Sequence, residues 1–449
     1  MKKIFLSLLL TISIQANDIA DKIHKMMWDD IEVTWLEDDR FPTYDVIFYF
    51  ADGSLSDGSR KGETNTMFNL LETGTNRFSL KEIADNLDFY GVSVGGKSVH
   101  EYSTYTVSGL SKDIIPTMKK VCHMFKDTIF PSKELAKFKR STISSRKNMV
   151  NSHGKLASMA FREISLGGSP FSNPVSGKIK TISKIKSKHL RNKLRYFNQK
   201  VKKKVYISGP KSVLNIKNIV LNECGWNTNA KFEREVTYKY KKKKAKIHLI
   251  TVPKANQAQV VMGKFLAPGE FDEFEKLGLM GHYLGGGFTS VLMSELRVKR
   301  GLTYSAYAYA GGQKNYGRAV INTFTKVKSI EELLNVTKNV LKEKGEGKIT
   351  QEEIKTVKMS LKGGFPFQFE SSSRFIKELM FLDHVGHSYK RFFDYNKTLD
   401  STSAAEVAKL IKQTFPWNGV DIVVLGQKNL LKRLKKLGPV KVHSYKKFL

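Results

Sequence analysis

The sequence predicts an α+β protein: two homologous domains, each a mostly antiparallel sheet with helices packed on one face. Three observations carry that prediction. Stretches of alternating β-branched and aromatic residues come in pairs, without strict strand–helix alternation. Helical stretches are closed by glycines, and Ser79 is placed to cap one of them. The whole order of elements then recurs further along, so that Gly91 and Gly301 fall at the same place.

In the first half, "DVIFYF" (Asp45–Phe50) reads as a strand and "ADGSLSDG" as a loop. Gly62–Leu71 reads as a helix that stops at Gly74, and "SLKEIADNLDFYG" as a second one stopped by Gly91. "VSVGGKSV" and "YSTYTVSGL" form a strand pair, and "KDIIPTMKKVCHMF" returns to helical spacing with Pro116 in its first turn. In the second half, Gln257–Phe265 is a strand and "FDEFEKLGLMGHYLGGG" a glycine-closed helix. "FTSVLMSELRVKRG" is a helix, "LTYSAYAYAGG" and "YGRAVINTFT" are strands, and "KSIEELLNVTKNVLKEKG" is again a helix.

At 449 residues the chain is long enough for two such domains. A hydrophobic content of 41% excludes bulk disorder. Lys2 and Lys3 followed by the apolar run Ile4–Ile14 and by Ala16 form a secretory signal peptide over 1–16, too short to span a bilayer. The expected organisation is 17–237 for the N-terminal domain, a Lys-rich linker over 238–246 ("YKYKKKKAK"), and 247–449 for the C-terminal domain. No later run is apolar enough for stable membrane insertion, and the signal peptide with a Lys-rich, bacterial-looking composition points to the periplasm. Net charge is +34, or +32 once Lys2 and Lys3 are removed. Such charge favours acidic peptides or an acidic partner. No nucleic-acid recognition motif accompanies it, so nucleic acid is not an expected partner. Cys122 and Cys224 are the only cysteines; a disulfide is open to them, with two buried free thiols the preferred reading.

"GETNTMFNLLETGT", "SLKEIADNLDFYGVSVGGKSVHEYSTYTVSGLSKD" and "LGGGFTSVLMSELRVKRGLTYSAYAY" together resemble the pitrilysin/insulinase (inverzincin) metallopeptidase family, in order and over nearly the whole chain. The likeness is to its two-domain, processing-peptidase-like subunits. Enzymes of that family carry H-x-x-E-H on the first of these helices: two zinc ligands and a general base. Counting back from Gly74-Thr75, those positions here are Asn65, Phe68 and Asn69. An amide is a poor zinc ligand and a phenyl ring takes no proton. The stretch in register with the family's third ligand, Lys139–Lys155, holds no acidic residue. No metal or other cofactor is therefore expected in this chain, and it is not a peptidase alone.

The resemblance also implies what is kept. Arg297 and Tyr304, spaced R-x6-Y from a helix through the Gly301 turn onto a strand, match the pair that binds peptide carbonyls and donates to the oxyanion. Gly285, Gly286 and Gly287 either close a helix or admit an extended substrate. Gly95 and Gly96 lie on the strand that binds substrate by β-augmentation in family enzymes. Asp383, His384 and His387 in "DHVGH" are too few for a closed tetrahedral site, and His100 and His123 read as structural. The expectation is a non-zinc subunit of a secreted heterodimeric zinc endopeptidase, whose partner carries H-x-x-E-H and zinc. The alternative is a non-catalytic peptide-binding or scaffold protein.

Overall fold

The structure, a computed structural model, describes residues 19–236, 238 and 246–449. The expected signal peptide, and the Lys-rich linker apart from Tyr238 and Lys246, lie outside the described residues. The chain forms two compact units that interleave along the sequence. The first takes the described residues to Ile143 together with Pro174–Glu235 and Phe367–His384; the second takes Ser144–Asn173, Val236–Pro366 and Val385–Leu449.

The first unit is built on six strands: β1 (Ile23–Trp28), β2 (Ile31–Glu37), β3 (Thr43–Phe50), β4 (Ser93–Ser98), β5 (Ser103–Leu110) and β6 (Lys203–Gly209). They lie in the order β1-β2-β6-β3-β5-β4, antiparallel except for the β2–β6 pair. Strand alternation sorts the side chains of β3 between two faces. Phe48 and Phe50 enter an aromatic core with Phe125 and Trp226, at ring separations of 5.1 to 5.8 Å. Tyr49 points the other way, where its hydroxyl meets His384 Nδ1 at 2.9 Å and its ring stacks on Tyr102. His384 sits on the Ser372–Val385 helix, so the second half of the sequence supplies a helix to the first sheet.

The second sheet repeats the plan with β7 (Ile247–Thr251), β8 (Gln257–Leu266), β9 (Ala306–Gly312), β10 (Gly317–Lys326), β11 (Asp421–Gly426) and β12 (Val440–Ser444). Its order, β12-β7-β11-β8-β10-β9, matches the first sheet position by position. The outermost strand differs: β12 runs parallel to β7, whereas β1 runs antiparallel to β2. Val260, Met262, Ile422 and Val424 face the helices Phe274–Gly285, Ile330–Gly345 and Ala404–Thr414. Val261, Val423 and Leu425 face the His153–Ser165 helix, a segment of the first half of the sequence. The α+β, two-domain fold class holds. What it did not contain is this exchange, by which each sheet also carries a helix on its opposite face.

The glycines that mark the repeat do the same work in both units. Gly91 and Gly301 both sit at φ +60°, where an L side chain is strained. Val92 N–H donates to the Leu87 carbonyl at 2.8 Å, closing the first helix in a Schellman turn. Leu302 N–H donates to Leu296 at 2.8 Å, a loop one residue wider, because Met293–Val298 is π-helical. The helix expected over "FTSVLMSELRVKRG" therefore ends in a π turn.

The cysteines correct an expectation. Cys122 and Cys224 form a disulfide across a sequence separation of 102, where two free thiols were preferred. Cys122 lies on the Ile114–Asp127 helix and Cys224 caps the Lys217–Glu223 helix that packs against it. Nothing local in the sequence encodes that meeting. A bridge closing a loop of this length restricts the unfolded chain by about 4–5 kcal/mol in the chain-entropy model. Replacing both cysteines by alanine lowers the denaturation free energy by that order. Titration of two free thiols in the unreduced, denatured protein would instead remove the bridge from the account.

Candidate functional site

The helix that would carry a zinc motif starts at a deliberate cap. Gly62 has φ +100°, and the buried Asp57 carboxylate accepts the backbone N–H groups of Gly62 and Thr64, each at 2.8 Å. Burial pushes the Asp57 carboxyl up, against the opposing pull of these bonds. The helix itself is shorter than expected, Glu63–Phe68, followed by a 3-10 turn over Leu71–Thr73. At its end the Asn69 side-chain amide donates to the Asn65 carbonyl at 2.7 Å, a local bond of the kind that competes with helix continuation.

Along this short helix the three motif positions separate by environment. Phe68 is fully buried, with its ring 5.3 Å from Phe50 and 5.2 Å from Phe197. Asn69 is exposed and Asn65 half-buried. The position expected for a general base is thus part of the aromatic core, and two amides and a phenyl ring do not fit a zinc ion. Glu72, the nearby acid, accepts the Tyr105 hydroxyl at 3.1 Å, and burial pushes its carboxyl up. In the segment of the third ligand, the buried Arg146 donates to Met159 Sδ at 3.6 Å. Among the described residues, no three His, Cys, Asp or Glu side chains gather where they could hold a metal.

The edge strand β4 lies against this helix. A Cβ on Gly96 would come within 2.1 Å of the Phe68 carbonyl oxygen, so glycine is required there by helix–strand approach alone. Gly95 faces open space, and β4 has no neighbour on its outer side among the described residues. The second unit mirrors this contact: a Cβ on Gly285 would meet the Ala308 amide nitrogen of edge strand β9 at 2.2 Å. Gly286 continues in the right-handed helical region and Gly287 is open. Gly285→Ala is expected to cost about 1–3 kcal/mol by overpacking. An unchanged melting curve would show that the helix can move off the strand freely.

Arg297 and Tyr304 come together. The guanidinium carbon of Arg297 lies 4.2 Å above the Tyr304 ring and 4.9 Å from the Phe288 ring. Tyr304 precedes β9 in a loop, not on the strand itself. Glu295, the nearest acid in sequence, is taken by Lys299 and Arg300 at 2.5 and 2.6 Å. Arg297 has no carboxylate partner among the described residues. Tyr304 and Phe288 are 69% and 73% exposed, so the two aromatic faces hold the cation in place while its N–H edges stay available. Phe288 was not among the residues expected from sequence. Its only sequence signal is its place directly after Gly287, where a large apolar residue has no core to enter.

The remaining candidates disperse. Asp383 binds Lys25 and the Tyr206 hydroxyl, both at 3.1 Å, and His384 binds Tyr49, all in the first unit. His387, in the second unit, faces Arg391 and Phe274. His123 meets Asp127 at 3.1 Å, and His100 is buried.

The two α+β units thus share one plan, with an exposed arginine–aromatic cluster in the second and two amides and a core phenylalanine at the expected zinc-motif positions of the first. The comparisons agree. A family model described as the peptidase M16 inactive domain matches residues 195–361. The chain is 23% identical over 439 residues to the non-peptidase homolog YmxG of Helicobacter pylori (strain ATCC 700392 / 26695), covering 95% of this chain and 99% of that protein. It is 22% identical over 316 residues to the uncharacterized zinc protease YmxG of Bacillus subtilis (strain 168), covering 69% of this chain and 76% of that one. Among solved structures, the peptidase M16 inactive domain from Pseudomonas fluorescens superposes with a TM-score of 0.81 at 21% identity, covering 90% of this chain and 98% of that one. The periplasmic protease PqqL from Escherichia coli gives 0.72 at 12% identity, covering 91% of this chain and 46% of that one. The chain is thus similar to M16 (pitrilysin/insulinase) proteins described as inactive or non-peptidase, and it lacks the zinc motif.

Proposed function

We propose that the chain is the non-zinc subunit of a secreted heterodimeric zinc endopeptidase. Its partner carries H-x-x-E-H and the zinc. Arg297 binds a carbonyl of the extended peptide, and the Tyr304 hydroxyl donates a hydrogen bond to the scissile carbonyl oxygen as it gains negative charge; a zinc ion held by the partner would supply the activated water. One observation carries the reading: Arg297 packs on two exposed aromatic rings and has no carboxylate partner among the described residues, while the expected zinc-motif positions hold two amides and a core phenylalanine. A group kept in that state has work outside its own unit. Periplasmic export is supported by the charged, apolar start of the sequence and by the disulfide, a bond that persists in oxidising compartments.

The test is to purify the tagged chain at native levels from its own envelope and identify what accompanies it by mass spectrometry. A near-equimolar H-x-x-E-H protein supports the shared peptidase. A chain recovered alone or with itself overturns it and leaves the peptide-binding scaffold as the reading.

A further inference from the structure

A second site lies wholly within the second unit, where nothing described so far makes use of it. A cleft of about 600 Å³ opens between the His153–Ser165 helix and the β7–β12 edge of the sheet. That volume suits a small organic molecule rather than a single water. Its wall carries Lys246, Lys441 and Lys447, and none of the three has a carboxylate partner among the described residues.

The two acids on the wall are already engaged. Asp421 accepts the Lys246 backbone N–H at 3.3 Å and lies 3.7 Å from His248 Nε2. Glu163 acts electrostatically on the buried Arg146. Between them the buried His248 and His443 stack, with Nδ1 of one 3.0 Å from Nε2 of the other. The two cannot both be protonated at those nitrogens, so one of the pair stays neutral.

We infer that this cleft binds a phosphate-bearing small molecule, and that His443 takes up a proton when it does. Three separated ammonium groups suit the point-charge recognition of phosphate, whereas a forked carboxylate is better matched by arginine. His443 is the sensor because of what surrounds it. Burial first, then Lys447, His248 and Lys441, push it down to about 4. The other charges facing it are Lys246 just before β7, Asp421 through His248, and Glu163 from the helix across the cleft. A phosphate seated among the lysines reverses the sign of their influence and raises His443 toward its ordinary range. The free chain then has His443 neutral at pH 5.5, and the complex has it partly charged.

Two ligand sources share this chemistry, a soluble phosphate ester and the headgroup of an anionic phospholipid. The experiment titrates the full chain at pH 5.5 with glycerol phosphate by calorimetry in two buffers of different ionisation heat. Flotation with phosphatidylglycerol vesicles and with phosphatidylcholine vesicles runs beside it. The comparison protein is Lys441→Ala/Lys447→Ala; both lysines are exposed, so folding is not at stake. The expected result is binding weakened on the order of tenfold or more per lysine removed. The gain of a proton by His443 is read from its imidazole NMR shifts, because the phosphate ester itself releases a proton among the lysines and the buffer heats give only the net exchange. Glycerol phosphate binding assigns a soluble ester, and variant-sensitive flotation on phosphatidylglycerol alone assigns a headgroup. Either supports the site. Vesicle binding that the variant retains in full reports only the +34 net charge and overturns it, as does the absence of binding to any probe.

Discussion

In the proposed heterodimer, replacing Tyr304 by phenylalanine is expected to lower kcat of the reconstituted pair by about 10²–10³-fold, with KM little changed. That is the scale found when one fixed donor to a developing oxyanion is removed. The loss falls on kcat because the hydroxyl meets negative charge only in the transition state, whereas the ring face that holds Arg297 is retained. Arg297→Ala lowers kcat/KM by a similar factor but raises KM as well, since the guanidinium also holds the peptide before reaction. Arg297→Lys rescues poorly: an ammonium has neither the fork nor the planar surface that lies between Phe288 and Tyr304. Phe288→Ala, which frees one face of the guanidinium, gives a smaller loss of the same kind. The measurement is steady-state kinetics on the purified pair with each variant in turn. Full activity in both Arg297→Ala and Tyr304→Phe would remove this chain from the chemistry, even if the complex forms.

The second large effect concerns the motif that is missing. Rebuilding H-x-x-E-H as Asn65→His/Phe68→Glu/Asn69→His is expected to unfold the first unit rather than restore a zinc site. Phe68 is fully buried among Phe50 and Phe197. Losing a core phenylalanine costs about 3–5 kcal/mol. Placing a carboxylate in its space adds a desolvation cost of at least a few kcal/mol unless it is neutralised. Against a total stability on the order of 5–15 kcal/mol, the sum removes most of the margin. The Asn65→His/Asn69→His double variant is the control, because both positions reach toward solvent; it folds normally. Circular dichroism melting of the three proteins, with and without zinc, reads the difference. A triple variant that folds and binds zinc at a 1:1 ratio would mean that the site is dormant rather than absorbed into the core.

Much of the candidate site was legible without coordinates. The repeat placed Gly91 and Gly301 at equivalent helix ends, and both sit at φ +60°. A glycine stop is a local property, set by a single residue's freedom to take positive φ. Arg297 and Tyr304 were legible as a pair only through the family resemblance of the sequence around them, since spacing alone fits an ordinary helix end and strand; the structure brings their side chains together. Strands β1, β2, β6, β7, β11 and β12 were not picked out. Several are short buried runs whose pairing is made across long stretches of intervening chain, as when β6 returns to lie between β2 and β3.

By itself the sequence determined which side chains stand at the positions where the resemblance places a zinc motif. Amides are poor zinc ligands, a phenyl ring takes no proton, and the stretch Lys139–Lys155 has no acid to offer, because those properties belong to the side chains. It also determined the doubled α+β plan, since strand alternation, helix stops and their recurrence are read from neighbouring residues. Only the tertiary structure decided that Cys122 meets Cys224, that Phe288 completes the clamp on Arg297, and that each sheet takes a helix from the other half of the chain. It alone decided that Gly96 and Gly285 are glycines because backbones approach there too closely for a Cβ. Each of those depends on which distant segments share a few ångströms of space, and that is set by the packing of whole faces, not by any local pattern.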